Sequence, residues 1–361
     1  MTIPDVLVLE AVTKRFGGKE VVRPTSLKLG VNRALGIVGP SGCGKSTLLK
    51  LLAAVETPTS GTIVRNFAPD GAAPRPGASR AHCVMMWQHL LLFPGLTARQ
   101  NIELAASSRF IPREERALRL RRYSQLLDLG PVLDRRVELL SGGERQRVAL
   151  ARTLIVEPAV VALDEPFSHL DPHLRYEARQ LLCLLRRELG FSIVLVTHDR
   201  DDALYCCDEI GVMEAGGTIV QIASYEQLLD RPNSPTAAKF AGFSNVVPGT
   251  VLSFDVQASE ADISTPFGVR RIRLGNTRVS GDSAVQIQAL RSAFRVTTRE
   301  RPNTVRMVLR QSFIDADRAV AVCSLDSLLI EASFEPPLQS ADGTVFVDFN
   351  EKSAVAFSAG R

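Results

Sequence analysis

The chain has 361 residues, of which 45 % are hydrophobic and 23 % charged, and its formal net charge is +4. This length exceeds what one compact core usually holds and predicts two or three domains. The small net charge gives no indication of a nucleic-acid partner, and no apolar run approaches the ~18 residues that cross a bilayer. The six cysteines form no C-x-x-C pair and are typical of reduced thiols inside a cell.

The first segment predicts two short strands, residues 6–9 and 26–29, around a turn at Gly17-Gly18. Phe16 lies at that turn. It is either an aromatic face on which adenine stacks or an aromatic side chain of a small core, and the sequence leaves both interpretations open.

A glycine-rich loop follows at residues 39–47, between the apolar residues 35–38 and an apolar segment at 48–52. The pattern G-x-x-x-x-G-K-[ST] between a buried strand and a helix is typical of a phosphate cradle. Its glycines can aim backbone N–H groups at an anion, and the helix N-terminus adds positive charge. Lys45 would reach the β- and γ-phosphates, and Ser46 would hold Mg²⁺. A glycine-rich turn with a surface lysine is the alternative, but the flanking strand and helix favour a nucleoside triphosphate site.

The next part of the chain predicts a strand at 61–64, a loop at 66–80 and a strand at 82–87 that leads to Gln88. Residues 97–138 have helical spacing. Five arginines within one helical segment of it indicate a solvated face or, alternatively, contact with acidic lipid or a membrane subunit. They are Arg113, Arg116, Arg119, Arg121 and Arg122.

A second turn that opens a helix is Ser141-Gly142-Gly143, in the segment Leu140–Arg152. Exposed N–H groups at such a helix start can bind an anion. The simpler interpretation is that Ser141 is only an N-cap.

Two buried strands then end in polar residues, 160–163 in Asp164-Glu165 and 193–196 in Thr197-His198. The carboxyl ends of strands in an α/β sheet face the ligand crevice. One carboxylate can orient Mg²⁺ while the other polarises water. His198 alone would be read as a strand-end cap, but a neighbouring carboxylate pair favours a catalytic role.

The remainder predicts strands at 209–213 and 218–220, a short helix near 225–229 and a linker with Pro232 and Pro235. From about residue 245 the hydrophobic pattern changes to period two, as in residues 285–288, 305–310 and 344–349. Several short strands of this kind indicate a small β-barrel. That segment contains neither a metal-ligand cluster nor a nucleophile paired with a base.

The phosphate loop, Gln88, the Leu-Ser-Gly-Gly-Glu segment, Asp164-Glu165 and His198, in this order, resemble the nucleotide-binding subunit of ABC transporters. The resemblance covers about residues 5–240 and implies an α/β P-loop NTPase core at 1–240, with a helical subdomain at about 90–155. Residues 241–361 resemble the all-β, OB-like regulatory barrel of importer ATPases for iron, sulfate, molybdate, polyamines or sugars. This second resemblance depends on the segment 240–249 and on the β-rich pattern that follows it.

The resemblance also implies ATP and Mg²⁺ as cofactors and a role for each matching residue. Glu165 would be the general base, His198 would hold the γ-phosphate, and Gln88 would contact Mg²⁺ and the attacking water. Asp164 would orient the metal together with Ser46. The remaining nucleotide-binding residues would be Phe16, Gly39, Ser41, Gly42, Cys43, Gly44, Lys45, Thr47, Ser141, Gly142, Gly143 and Asp171.

In this family the Ser-Gly-Gly turn binds the ATP held by a second copy, and Asp171 belongs to the loop that crosses the dimer interface. The implied partners are therefore a second copy, integral membrane permease subunits that contact residues 90–97, and indirectly a solute-binding protein. No nucleic acid is expected, and the protein would lie peripherally on the cytoplasmic face of the inner membrane. Ferric iron, a polyamine or an oxyanion is favoured as cargo.

Two other function classes remain as alternatives. A non-transport ABC ATPase that acts on DNA would carry a long coiled coil between the glutamine and the Leu-Ser-Gly-Gly-Glu segment. Here Gln88 and Ser141 are 53 positions apart (141 − 88), which leaves no room for such a coiled coil. The type that acts on ribosomes usually fuses two ATPase domains, and this chain has one. An exporter ATPase would not be expected to carry the β-rich tail.

Overall fold

The computed structural model describes residues 5–66, 83–276, 279–315, 318–336, 338 and 343–359. The contacts within the chain divide it into two units, Met1–Ser224 and Tyr225–Arg361. The predicted functional boundary at 240/241 and the limits of the helical subdomain stay predictions. Most of the loop predicted at 66–80, and His82 of the following strand, lie outside the described residues.

A three-stranded antiparallel sheet begins the first unit. It has the order β2-β1-β4 and consists of β1 (Asp5–Phe16), β2 (Lys19–Gly30) and β4 (Ser60–Arg65). Gly17-Gly18 forms the turn, as predicted, with Phe16 paired to Lys19. The prediction of two short strands was wrong in length, because register shifts let β1 and β2 stay paired through the polar residues near the turn.

A six-stranded sheet with the order β5-β6-β7-β3-β8-β9 forms the centre of this unit. Its first five strands are parallel, and β9 is an antiparallel edge strand. Every residue of β3, β6 and β7 is buried, as expected for strands of a parallel sheet with both faces covered. The strands are β3 (Ala34–Val38), β5 (Cys83–Met86), β6 (Val160–Asp164), β7 (Ser192–Val196), β8 (Glu209–Glu214) and β9 (Thr218–Ala223).

The helices of the first unit pack on these strands and on one another. The longest is α5 (Pro172–Leu189), which buries Leu182 and Leu185. Residues 97–138 are largely helical, as predicted. Of the five arginines named above, Arg119 pairs with Glu115 and Glu157, the half-buried Arg116 donates to Ser107 Oγ, and the other three are exposed. None of the helices in the described ranges combines the length and apolar character that a membrane span needs. The other helices are α1 (Lys45–Leu52), α2 (Ala98–Ser108), α3 (Arg113–Leu126), α4 (Gly142–Leu154) and α6 (Arg200–Cys206).

The second unit begins with two short helices, α7 (Tyr225–Asp230) and α8 (Pro235–Ala241). Pro235 was predicted to lie in a linker, and this was wrong: it is the first residue of α8, a position where its missing N–H costs nothing. Ser234 caps the helix by accepting the N–H of Ala237 at 3.3 Å.

Two closed five-stranded barrels follow, where the sequence predicted one. The first has the order β10-β11-β12-β19-β13 and the second the order β14-β17-β16-β15-β18. The last strand of the chain returns to the first barrel, a long-range pairing that the local pattern does not contain. Phe267, Phe294 and Phe349 pack together, with ring centroids 4.7 to 5.5 Å apart, in a core common to both barrels. The strands are β10 (Asn245–Asp255), β11 (Glu260–Thr265), β12 (Gly268–Leu274), β13 (Ala284–Ala289), β14 (Phe294–Thr297), β15 (Thr304–Asp315), β16 (Arg318–Leu325), β17 (Leu328–Ser333), β18 (Thr344–Phe349) and β19 (Ala354–Ser358).

Candidate nucleotide site

Four neighbouring parallel strands, β5, β6, β7 and β3, deliver the predicted site residues to one edge of the central sheet. Gln88 follows β5, Asp164-Glu165 ends β6, His198 follows β7, and the glycine loop follows β3. The strand register aligns the ends of these strands, since Asp164 pairs with Val196 and Val196 pairs with Ile37. The sheet thus brings together side chains that are far apart in sequence, at the position where α/β sheets bind ligands.

The glycine loop needs its glycines for steric reasons. Gly39 and Gly44 have φ values of 154° and 108°, and Gly42 has a φ of 76°. A Cβ atom at Gly39 would lie 2.1 Å from the Met213 carbonyl oxygen, and one at Gly44 would lie 2.5 Å from that of Val21. The loop can therefore pass close to neighbouring backbone only without side chains.

Lys45 is buried, with 7 % of its surface exposed. Its Nζ donates to the carbonyl oxygens of Gly39, at 3.0 Å, and Pro40, at 2.9 Å. A buried ammonium group is costly unless it has strong partners, and neutral carbonyls are weaker partners than phosphate oxygens. The loop thus holds a cation that gains from an incoming anion.

The other side chains of the loop take different positions. Ser41 is exposed and Thr47 is half-buried. The Cys43 thiol is buried in the core beneath the loop, and burial raises its pKa. Its N–H donates to the Pro40 carbonyl at 3.4 Å. Cys43 can thus contact a nucleotide only through its backbone.

A hydroxyl and a carboxylate meet next to the loop. Ser46 Oγ donates to Asp164 Oδ1 at 3.0 Å. Burial raises the pKa of Asp164, and the neighbouring Glu165 carboxylate raises it further, whereas the Ser46 hydrogen bond lowers it. No cluster of three or more His, Cys, Asp or Glu side chains suited to a metal occurs among the described residues. One hydroxyl and one carboxylate fit Mg²⁺, because this ion usually takes few protein oxygens and completes its shell with phosphates and water.

Glu165 is the point on which the predicted catalytic residues converge. Gln88 Nε2 donates to its Oε2 at 3.3 Å, and His198 Nδ1 lies 3.1 Å from its Oε1. Its backbone has a φ of 46°, a strained value for a residue other than glycine. Three hydrogen bonds hold that backbone. Its N–H donates to Val196 O at 2.9 Å, and its carbonyl accepts Ser168 Oγ at 3.0 Å and the Ser168 N–H at 3.3 Å.

The Ser-Gly-Gly turn begins α4 with a capping box. Ser141 Oγ accepts the Glu144 N–H at 3.3 Å, and Ser141 N–H donates to Glu144 Oε2 at 2.7 Å. Ser141 is therefore an N-cap, and the N–H groups of Gly142 and Gly143 lie in the first helical turn. Gly142 also lines a cavity of about 230 Å³ together with Gln88. Any contact of this turn with ATP stays a prediction.

The two remaining predicted residues are Asp171 and Phe16. Asp171 caps α5, since its Oδ1 accepts the N–H groups of His173 and Leu174, both at 3.1 Å. Phe16 is 46 % exposed, so its interpretation as a core aromatic was wrong. Lys14 Nζ lies 4.7 Å from its ring centroid. Stacking of adenine on Phe16 stays a prediction.

The structure adds residues that sequence reasoning missed. Arg152, near the end of α4, donates to the carbonyl oxygens of Leu90 and Leu91, so α4 holds the segment that follows Gln88. His89 stacks on His169 with ring centroids 5.6 Å apart. The position of Arg152 in the last turn of α4 was the available signal. Its backbone partners lie 61 and 62 positions away, and a local pattern does not show such contacts.

An ion-pair network next to His198 was also missed. Arg175 and Arg179 of α5 pair with Asp199 and Asp202, at 2.7 Å and 2.5 Å for the shortest contacts. Thr197 Oγ1 donates to Asp202 Oδ2 at 2.9 Å. The helix that begins after Asp171 is thereby fixed to the segment that carries His198. The period of four between the two arginines was the available signal.

Comparison with known proteins identifies the family. The family profile described as "ABC transporter" matches residues 22–168. The Fe(3+) ions import ATP-binding protein FbpC of Pasteurella multocida is 38 % identical over 251 residues, which cover 70 % of this chain and 71 % of that protein. The chain belongs to the ABC transporter family. It is thus an ABC-type ATPase, which binds and hydrolyses ATP.

Other relatives of this ABC ATPase carry similar names. FbpC of Brucella abortus is 40 % identical over 250 residues, covering 69 % of this chain and 70 % of the relative. The sn-glycerol-3-phosphate import ATP-binding protein UgpC of the same species is 37 % identical, covering 65 % and 66 %. Among solved structures, cbiO1 of Clostridium perfringens, part of the ABC transporter complex cbiONQ, matches with a TM-score of 0.53 and 26 % identity, over 61 % of this chain and 88 % of that one.

Proposed function

We propose that this ABC ATPase is the energy-coupling subunit of a solute importer. The observation that supports the chemical part best is the convergence of Gln88 and His198 on the Glu165 carboxylate, beside Ser46 and Asp164. The names of the relatives support the direction of transport, because FbpC and UgpC are described as import ATP-binding proteins.

The glycine loop would bind the phosphates of ATP. The backbone N–H groups of residues 41–47 would surround the anion, and Lys45 would exchange its two carbonyl partners for β- and γ-phosphate oxygens. Ser46 Oγ and Asp164 Oδ1 would hold Mg²⁺, which neutralises charge on the transferred phosphoryl group. The exposed ring of Phe16 would carry the adenine.

Glu165 would then accept a proton from the attacking water. Gln88 and His198 flank the two oxygens of this carboxylate, so both can orient the same water and the γ-phosphate beside it. Phosphoryl transfer needs little from a protein beyond positioning and charge stabilisation. Because the strained Glu165 backbone is fixed by Val196 and Ser168, the base is positioned before the nucleotide binds.

The Ser-Gly-Gly turn would serve a second copy of the chain. Ser141 and Glu144 bond to each other through the two hydrogen bonds of the capping box. The N–H groups of Gly142 and Gly143, in the first turn, are oriented as at any helix N-terminus. A two-fold dimer would place each turn on the γ-phosphate of the partner's ATP, with Asp171 at the interface. ATP binding would close the dimer and hydrolysis would open it.

The segment after Gln88 would transmit this movement to membrane permease subunits. Leu91 and Phe93 are 53 % and 49 % exposed, and Arg152 holds the backbone carbonyls of Leu90 and Leu91. Apolar side chains held on an ordered loop suit an interface with another subunit. The protein would thus work peripherally, at the cytoplasmic face of the membrane, and a solute-binding protein would supply the permease.

Ferric iron is the cargo that we favour, and polyamine or oxyanion cargo comes second. FbpC relatives of 38 % and 40 % identity are named for Fe(3+), while UgpC, at 37 %, is named for glycerol-3-phosphate. The binding protein and permeases select the cargo, so the decisive experiment must recover them.

A pull-down tests the proposal. Tagged Glu165→Gln chain, incubated with ATP, is used to capture partners from detergent-solubilised membranes of its own cells, and Lys45→Ala chain serves as the matched control. Both tagged chains are expected to capture polytopic membrane proteins. Because Glu165→Gln should trap the ATP-bound dimer, ATP should change the yield of these proteins with that variant. A solute-binding protein, with the ligand that it holds, would identify the cargo. Recovery of ribosomes or DNA-repair proteins without membrane subunits would refute transport.

A further inference from the structure

Two histidines are in contact beside the candidate site, on segments that follow different strands. His89 comes directly after Gln88, and His169 lies in the segment between Glu165 and α5. Their rings stack with centroids 5.6 Å apart and planes inclined by 18°. Both residues are exposed, so neither ring belongs to a hydrophobic core. The histidine stack is therefore a contact between two surface segments, each of which carries a residue of the proposed chemistry.

The backbone of His89 is part of a fixed turn. Its carbonyl accepts the Leu91 N–H at 2.6 Å, and the Leu90 N–H donates to the Trp87 carbonyl at 2.9 Å. Leu90 and Leu91 have left-handed φ values of 57° and 44°. Arg152 donates to the carbonyl oxygens of both leucines, so α4 holds this strained backbone in place. The His89 ring therefore extends from a turn that the first unit fixes.

The segment that carries His169 is held in a similar way. The Leu170 N–H and Arg175 Nε both donate to the Phe167 carbonyl, each at 3.2 Å. The Phe167 side chain is buried, which anchors this turn in the core of the first unit. Each ring of the histidine stack thus extends from an ordered turn, and the stack joins the two turns.

The direct hydrogen bond between these two segments is weak by itself. The distance of 3.3 Å from Gln88 Nε2 to Glu165 Oε2 is longer than the usual value of about 2.9–3.0 Å for an N–H···O bond. A cavity of about 230 Å³ is lined by Gln88, Pro166 and both histidines. This space gives the Gln88 amide room to turn away from the carboxylate. Stacking of the next residue in the chain, His89, on His169 limits that movement.

We propose that the histidine stack positions Gln88 against Glu165 for ATP hydrolysis. His89 and His169 are positioning residues, which act through Gln88 and take no part in proton transfer. Hydrolysis depends on the alignment of the attacking water, and a displacement of about 1 Å in such a site can cost ~10²-fold in rate. The inference rests on the proposed roles of Gln88 and Glu165, and it does not depend on the direction of transport.

Steady-state phosphate release by the full-length chain tests the proposal. An aromatic pair shifts an equilibrium by roughly 2- to 12-fold, so His89→Ala and His169→Ala should each lower kcat by about 3- to 10-fold. The ATP dissociation constant should not change, because the phosphate loop follows another strand, β3. His169→Phe keeps an aromatic ring and should retain kcat within about twofold of the wild type. His173→Ala, at an exposed position of α5, is the matched control and should hydrolyse ATP at the wild-type rate.

Combined substitutions separate positioning from a general structural role. Gln88→Ala should lower kcat by itself, and His169→Ala should then cause no further loss, because the side chain that it positions is already absent. The variant that lacks both histidines should be no slower than either single variant, since one substitution already removes the stack.

Two results would overturn the inference and leave the proposed chemistry intact. One is wild-type kcat in both single histidine variants while Gln88→Ala is impaired. The other is an undiminished loss from His169→Ala in the Gln88→Ala chain, which would show that the histidine acts elsewhere. Wild-type kcat in Gln88→Ala itself would refute the role of Gln88, and the inference with it.

Discussion

Replacing Glu165 by Gln removes the proposed general base and keeps the size and shape of the side chain. The amide retains a carbonyl oxygen that can still accept the Gln88 Nε2 hydrogen, found 3.3 Å from the carboxylate. The backbone hydrogen bonds to Val196 and Ser168 are unaffected. The substitution removes the negative charge and the capacity to take up a proton, and an amide nitrogen replaces the oxygen that lies 3.1 Å from His198 Nδ1. General-base catalysis is worth ~10²–10⁴-fold in rate, so kcat should fall by at least ~10²-fold, or about 2.7 kcal/mol in activation free energy.

The assay is steady-state phosphate release at saturating ATP, with ATP affinity measured separately by equilibrium binding. We expect the affinity to stay near that of the wild type while kcat falls. Glu188→Gln, at an exposed position of α5, is the matched control and should hydrolyse ATP at the wild-type rate. A Glu165→Gln protein that turns over within about threefold of the wild type would refute the assignment, because a lost base cannot be that mild.

Three further predictions concern the neighbouring residues. Lys45→Ala should weaken ATP binding by ~10²-fold, because charge-assisted hydrogen bonds to phosphate are worth about 1.5–3 kcal/mol; isothermal titration checks this, and unchanged affinity would contradict the loop assignment. Burial raises the pKa of Asp164, so the ionised side chain destabilises the folded protein. Its cost is absent below pH 3.8 and grows as the pH rises through the raised pKa, so the stability of Asp164→Asn relative to the wild type should increase with pH in thermal melts. Cys43 is buried and its pKa is raised, so alkylation should be slow and slower still with ATP; a rate typical of an exposed thiol would contradict the burial.

The local hydrophobic pattern was sufficient to predict those site residues that lie at the end of a strand or helix. The strand before Gly39 and the strands that end in Asp164 and Thr197 were recognisable as apolar runs, and parallel pairing then places their carboxyl ends together. Glu165 and His198 met because β6 and β7 are neighbours, as the sequence predicted. Their 3.1 Å contact confirms the placement, while their roles in catalysis stay predictions.

Other features depend on contacts that no window of sequence contains. The division into two barrels was missed because β19 returns to pair with β12 and β13, whose paired residues lie 65 to 82 positions earlier in the chain. The strain at Glu165 was missed because nothing in the residue type requires a left-handed backbone. Phe16 was left undecided, since exposure depends on what β2 and β4 cover and not on the hydrophobicity of the residue itself.

The most direct test of the account asks whether one chain completes the ATP site of another. ATP with a photoreactive group on its γ-phosphate is added to untagged wild-type chain mixed with an excess of tagged Lys45→Ala chain, which keeps its Ser-Gly-Gly turn but lacks the loop lysine. After irradiation, the account predicts label on the tagged chain, within tryptic residues 137–145, and only when the wild-type chain is present. Label confined to the wild-type chain would contradict the shared site.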